Sequence, residues 1–127
     1  MMPDLTNTFV VLGPGQTAVP VEVTPTLYAD LDANFGGFKG HSLVARYEFG
    51  SDWPNWEVHP QGDEIAVLMS GAAEMVFDER GGHRSVRLSR PGEFVIVPKG
   101  TWHTARISTP TAMLFVTPGE GTEHKET

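Results

Sequence analysis

The stretch Trp56-Glu57-Val58-His59-Pro60-Gln61-Gly62-Asp63-Glu64-Ile65-Ala66-Val67-Leu68-Met69-Ser70-Gly71 constrains this chain more than any other. It reads as two short strands joined by a tight turn. Pro60 fixes φ, Gly62 permits positive φ, and Asp63 offers a carboxylate to nearby amides, which is turn chemistry. With Pro60 to Asp63 as the loop, His59 and Glu64 oppose each other across a hairpin, their Cβ atoms roughly 4.5–5.5 Å apart. Glu57 lies two residues before His59 and shares its face by strand alternation. Ala66, opposite Glu57, leaves room. One imidazole and two carboxylates thus point into a common space, at a spacing that suits one metal ion.

A second stretch, Gly92-Glu93-Phe94-Val95-Ile96-Val97-Pro98-Lys99-Gly100-Thr101-Trp102-His103, repeats the plan of an apolar strand entering a Pro/Gly turn. His103 follows that turn by two residues. Two hairpins of this shape, packed by their inward faces, would bring His103 to the other three side chains.

On these residues the chain resembles the cupin superfamily. The first cupin motif runs Gly, five residues, His-x-His, three or four residues, Glu, six residues, Gly. Glu57-Val58-His59, Glu64 and Gly71 match its spacing. The second runs Gly, five residues, Pro-x-Gly, two residues, His, three residues, Asn; Gly92, Pro98, Gly100 and His103 match it. Three positions depart. Ser51, next to Gly50, stands at the opening Gly; Ile107 stands at the closing Asn; and Glu57 occupies the place of the first metal-binding His. The resemblance implies an all-β fold, a cupin-type double-stranded β-helix or jelly-roll barrel. It also implies that N-terminal strands pair with a second subunit, so a homodimer is expected.

At 127 residues the chain is expected to be a single domain, residues 1–127, with one sizeable core. A hydrophobic fraction of 39% with 14 Gly and 10 Pro suits a turn-rich all-β protein. No apolar run approaches the roughly 18 residues of a membrane span. Met1-Met2-Pro3-Asp4-Leu5 lacks the basic start and apolar core of a secretion signal, so a cytoplasmic address is the expectation. With no cysteine, disulfides and thiolate ligands are excluded. A net charge of −7 argues against a nucleic-acid partner. Arg80, Arg84, Arg87 and Arg90 would stripe a helix, but Gly81 and Gly82 split it, leaving scattered surface charge.

Residues 1–8 and 118–127 read as mobile ends, His124 included. Phe9 to Leu12 is a short strand, and Val19 to Val23 another that Pro20 confines to an edge. Leu27, Leu31 and Phe35 recur every four residues, with Thr24 or Thr26 able to cap and Gly36-Gly37 to stop, predicting a short N-terminal helix. In the strand Ser42 to Phe49, Arg46 either anchors an anionic substrate or forms a surface pair with Glu48, the commoner fate of a charge. Trp53 and Trp56 either rim a pocket or plug one end of a barrel. Ala73 to Asp78 and Ser85 to Leu88 form a strand pair, with His83 solvated at its tip and His41 structural or exposed. Thr111 to Thr117 is the last strand.

The candidate metal ligands are therefore Glu57, His59, Glu64 and His103. Without Glu57 the set is two His and one carboxylate, which suits non-haem Fe(II). With it, two carboxylates and two neutral imidazoles balance one divalent cation, favouring Mn or Fe while leaving Zn and Ni open. The reading is a metal-dependent dioxygenase or isomerase acting on a small organic molecule, with Glu57 a ligand or, swung free, a general base. The alternative is a non-catalytic binding or sensing module whose metal is weakened or lost. Phe94, Ile96, Leu68, Ala105 and Ile107 are expected to make an apolar cavity wall for the substrate, with Arg46 the one charge anchor.

Overall fold

The computed structural model describes residues 2–127. Alternating apolar residues punctuated by Gly and Pro make a β-rich fold, as expected. In chain order the strands are β1 (Thr8–Gly13), β2 (Thr17–Glu22), β3 (Ser42–Phe49), β4 (Asn55–Val58), β5 (Glu64–Ser70), β6 (Ala73–Glu79), β7 (Gly82–Leu88), β8 (Phe94–Val97), β9 (Trp102–Arg106), β10 (Thr111–Thr117) and β11 (Glu123–Glu126). They form two antiparallel sheets, one ordered β2-β1-β3-β10-β5-β8 and the other β11-β4-β9-β6-β7. Every sheet neighbour pairs antiparallel, and most are distant in sequence, which is the topology of a double-stranded β-helix. β2 lies at a sheet edge, where the missing N–H of Pro20 is tolerated.

The inner faces meet in one core that includes Ala66, Leu68, Met75, Phe77, Ala105, Met113 and Phe115. A second cluster joins Phe9 and Val11 of β1 to Leu43 and Ala45 of β3 under a helix, α1 (Leu27–Asn34). Leu27 and Leu31 are the buried stripe of α1, and a 3-10 turn, Gly36–Phe38, follows it. Thr26 stands at the N-cap, but its hydroxyl is spent on Asp30 Oδ2 at 2.9 Å instead of a backbone amide. Among the described residues no helix is long and apolar enough to cross a membrane.

Three expectations change. The segments Pro60–Asp63 and Pro98–Thr101 are not hairpin loops: each is a corner that carries the chain from one sheet to the other. β4 pairs with β9 and β11, whereas β5 pairs with β8 and β10. Turn residues dictate a change of direction, not the partner of the emerging strand. Second, the polar end of the chain is not loose: β11 pairs with β4 in the register His124↔Glu57 and Lys125↔Trp56. Gly121, at φ +71°, supplies the left-handed residue in the turn before it. Third, residues near the start are held by Thr8 N donating to Asp4 O at 2.9 Å and Val23 N to Asn7 O at 2.9 Å; Met1 lies outside the described residues.

Candidate metal centre

The two corners are stitched together. Lys99 N donates to Asp63 Oδ1 at 2.7 Å, and Gly100 N donates to the His59 carbonyl at 3.0 Å. This fixes the ends of β4, β5 and β9, and with them four side chains. Glu57 lies in β4 and His59 just past it, Glu64 opens β5, and His103 sits in β9, where it pairs directly with Glu57. One donor atom from each of Glu57, His59, Glu64 and His103 lies within 4.8 Å of all the others. Glu64 is central: Oε2 is 3.2 Å from His59 Nε2, and Oε1 is 3.2 Å from His103 Nε2. Glu57 Oε1 stands further out, 3.6 Å from His59 Nε2 and 3.7 Å from His103 Nε2.

The far side of each group fixes what it presents. His103 Nδ1 lies 3.1 Å from the Thr101 carbonyl, which can only accept, so Nδ1 carries the proton and Nε2 keeps its lone pair. The Thr122 hydroxyl donates to the Gly119 carbonyl at 3.0 Å and so accepts from His59 Nδ1 at 2.9 Å, imposing the same tautomer. Thr117 Oγ1 donates to Glu64 Oε2 at 2.5 Å, and His124 Nε2 lies 3.0 Å from Glu57 Oε2. Metal-binding histidines are commonly oriented through the second ring nitrogen in this way. Toward the centre, His59 Nε2, Glu64 Oε1 and His103 Nε2 are buried and face one another without a well-formed hydrogen bond. Buried polar atoms are rarely left so, and a divalent cation fits this donor set.

Without a cation the charges settle among themselves. Burial by itself pushes His59 down, but Glu57 and Glu64 outweigh it and raise the imidazole from 6.5 to about 9. Burial by itself pushes Glu64 up, but His103 and His59 reverse this and lower the carboxyl from 4.5 to about 2. Burial likewise opposes Glu57, yet contact with His59 leaves it below the ordinary carboxylate value.

The centre opens on a cavity of about 910 Å³. Tyr47, Phe49, Trp53 and Phe115 line it, with Leu31 and Phe38 from the helical segment. Trp53 stacks against Phe115 and edge-on to His103, so it is cavity wall, while Trp56 packs on His83 instead. His41 bonds the Lys39 carbonyl through Nδ1 at 2.7 Å.

The expected substrate wall is elsewhere. Phe94 and Ile96 are 60% and 50% exposed on the outside of β8. A hairpin at Pro98–Thr101 would put them on the face of His103, but the chain crosses there from β8 in one sheet to β9 in the other. Leu68, Ala105 and Ile107 do point inward, but into the packed core between the sheets, not the cavity. Arg46 forms the surface pair, its Nη2 3.0 Å from Glu48 Oε1. The side chains missed by sequence reasoning are Thr117, Thr122 and His124. Alternation of Thr122, His124 and Glu126 after a Pro/Gly turn was the available sign of a last strand.

Fold and site together define a double-stranded β-helix with a His/Glu cluster able to hold a metal. A family model described as a Cupin domain matches residues 43–117, and the chain belongs to that family. No curated protein sequence matches. Among solved structures, an oxalate oxidase is similar at 21% identity and TM-score 0.54, over 64% of this chain and 44% of its own, so this chain spans less than half of that protein. A double-stranded β-helix protein from Klebsiella pneumoniae is similar at 26% identity and TM-score 0.54, over 68% of this chain and 76% of its own. A hydroquinone 1,2-dioxygenase, in complex with Cd²⁺ and 4-hydroxybenzonitrile, is similar at 21% identity and TM-score 0.50, over 60% and 56%.

Proposed function

We propose that this chain is a metal-dependent cupin acting on a small organic molecule held in the cavity, through a dioxygenase or isomerase reaction. The observation that carries the reading is the convergence of His59 Nε2, Glu64 Oε1 and His103 Nε2, all buried and all without a hydrogen-bond partner. His59, Glu64 and His103 would hold one divalent ion, with Glu57 Oε1 as a fourth donor. Two carboxylates and two neutral imidazoles favour Fe or Mn over Zn or Ni. Such an ion supplies Lewis acidity and, for Fe or Mn, access to O₂. The protein's own part is to fix both imidazole tautomers, exclude water behind the ligands, and present a carboxylate at the cavity side. Glu57 is the most accessible of the four at 27% side-chain exposure and is ionised at neutral pH, so that, swung free of the ion, it would be the group to take a proton from a bound molecule.

The test is the metal content of protein purified without added metal, beside Glu64→Ala and Glu57→His variants, followed by oxygen uptake after Fe²⁺ reconstitution. We expect about one divalent ion per chain in the wild type and its loss in Glu64→Ala. Tighter binding in Glu57→His would make the natural residue a weak ligand. Small-molecule binding that survives chelation, with no turnover, would favour the non-catalytic module.

A further inference from the structure

The charge pattern of the cavity carries a statement about its occupant. Among the described residues that line it there is no Lys or Arg, whereas the acids Asp32, Asp52, Glu57 and Glu64 are all present. Arg46, the nearest candidate on β3, is engaged by Glu48 on the outside. The lining histidines are similarly committed, His59 to the two glutamates and His124 to Glu57. Two carboxylate ligands formally neutralise a divalent ion and so weaken its pull on an anion, and without the ion the site is more negative still. A carboxylate or phosphate entering here would lose its hydration and find no compensating Lys or Arg.

The walls point the other way. Tyr47, Phe49, Trp53 and Phe115 form a connected aromatic group, with Trp53 ring centroids 5.4 Å from Phe49 and 5.8 Å from Phe115. At the edge of that group the hydroxyls of Tyr28 and Tyr47 bond to each other, giving a polar point in an otherwise apolar wall.

We infer that the ligand of this cavity is an uncharged aromatic molecule bearing a hydroxyl or carbonyl oxygen, and that carboxylates are rejected. The inference deepens the proposed function and rests on its cavity, but the metal enters only through its charge.

The experiment compares two probes that share a ring and differ in charge, 4-hydroxybenzyl alcohol and 4-hydroxybenzoate, by calorimetry on metal-free and Mn²⁺-loaded protein. The alcohol should bind at least about tenfold more tightly in both forms, the equivalent of one unfavourable buried charge contact. Trp53→Leu should weaken the alcohol about fivefold without changing Mn²⁺ content, as loss of one aromatic wall contact requires. Asp32→Lys, an exposed change on α1, should shift the preference toward the benzoate. Equal or tighter binding of the benzoate to wild-type protein overturns the inference, as does failure of both probes to bind. Failure to retain Mn²⁺ counts against the metal reading alone, because the metal-free comparison still decides the charge preference.

Discussion

At the scale of single residues, the centre behaves as a buried ion pair waiting for a metal. His59 is raised from 6.5 to about 9, so its contribution to stability is complete below pH 6.5 and is lost as pH rises through 9. Glu64 is lowered from 4.5 to about 2, so its contribution is complete above pH 4.5 and is lost as pH falls toward 2. The two shifts share the His59–Glu64 contact, to which Glu57 adds on the His59 side and His103 on the Glu64 side. Metal-free protein should therefore have its highest Tm between pH 4.5 and 6.5 and decline on both sides, which calorimetry across that range will check. Glu64→Gln should flatten the alkaline limb and return His59 toward its ordinary titration, followed by the imidazole resonances in NMR. A metal competes with that proton, so loading at neutral pH should release close to one proton per ion, measurable as a buffer-dependent binding enthalpy.

At the scale of elements, the last strand belongs to the centre. β11 holds Glu57 through His124 in the same register that pairs the two residues across the sheet, and the turn before it holds His59 through Thr122. Truncation after Gly121 should weaken metal affinity about 10- to 100-fold, and His124→Ala about 10-fold, with far-UV CD nearly unchanged in the point variant. Gly71 is a second element-level constraint. At φ +82°, an added Cβ would lie 2.4 Å from the Pro110 carbonyl oxygen, so Gly71→Ala should cost about 1–3 kcal/mol by chemical denaturation. These two elements also mark what the sequence could reveal. Gly71, Pro98, Gly100 and the histidines lie at spacings that local chemistry requires, so the family and the gathering of Glu57, His59, Glu64 and His103 were legible. Sheet partnership was not, because His59–Asp63 looks the same whether the chain folds back or crosses over. That ambiguity assigned Phe94 and Ile96 to the wrong side. It left the position of His124 invisible as well, since a short polar strand has meaning only beside the strand that receives it.

At the scale of the whole molecule, the four side chains come from opposing sheets. Glu57, His59 and His103 belong to the β11-β4-β9-β6-β7 side, and Glu64 to the other. An ion bound by all four would stabilise only the folded arrangement, so stability should rise with free metal concentration, by about 2.7 kcal/mol at a hundredfold excess over Kd, and Tm with it. The connected β-sandwich beyond Leu68 and Met75 is packed without help from the ion. Hydrogen exchange should therefore respond unevenly: amides near Glu64, Thr117 and Thr122 slow on loading, while those near Met75 and Met113 stay as they were. Because Glu64 alone reaches across the gap, a bound ion would work as a rivet through two plates at one rim. Its removal would loosen that rim and leave the opposite end shut, so gaining or giving up the metal need not unfold the protein.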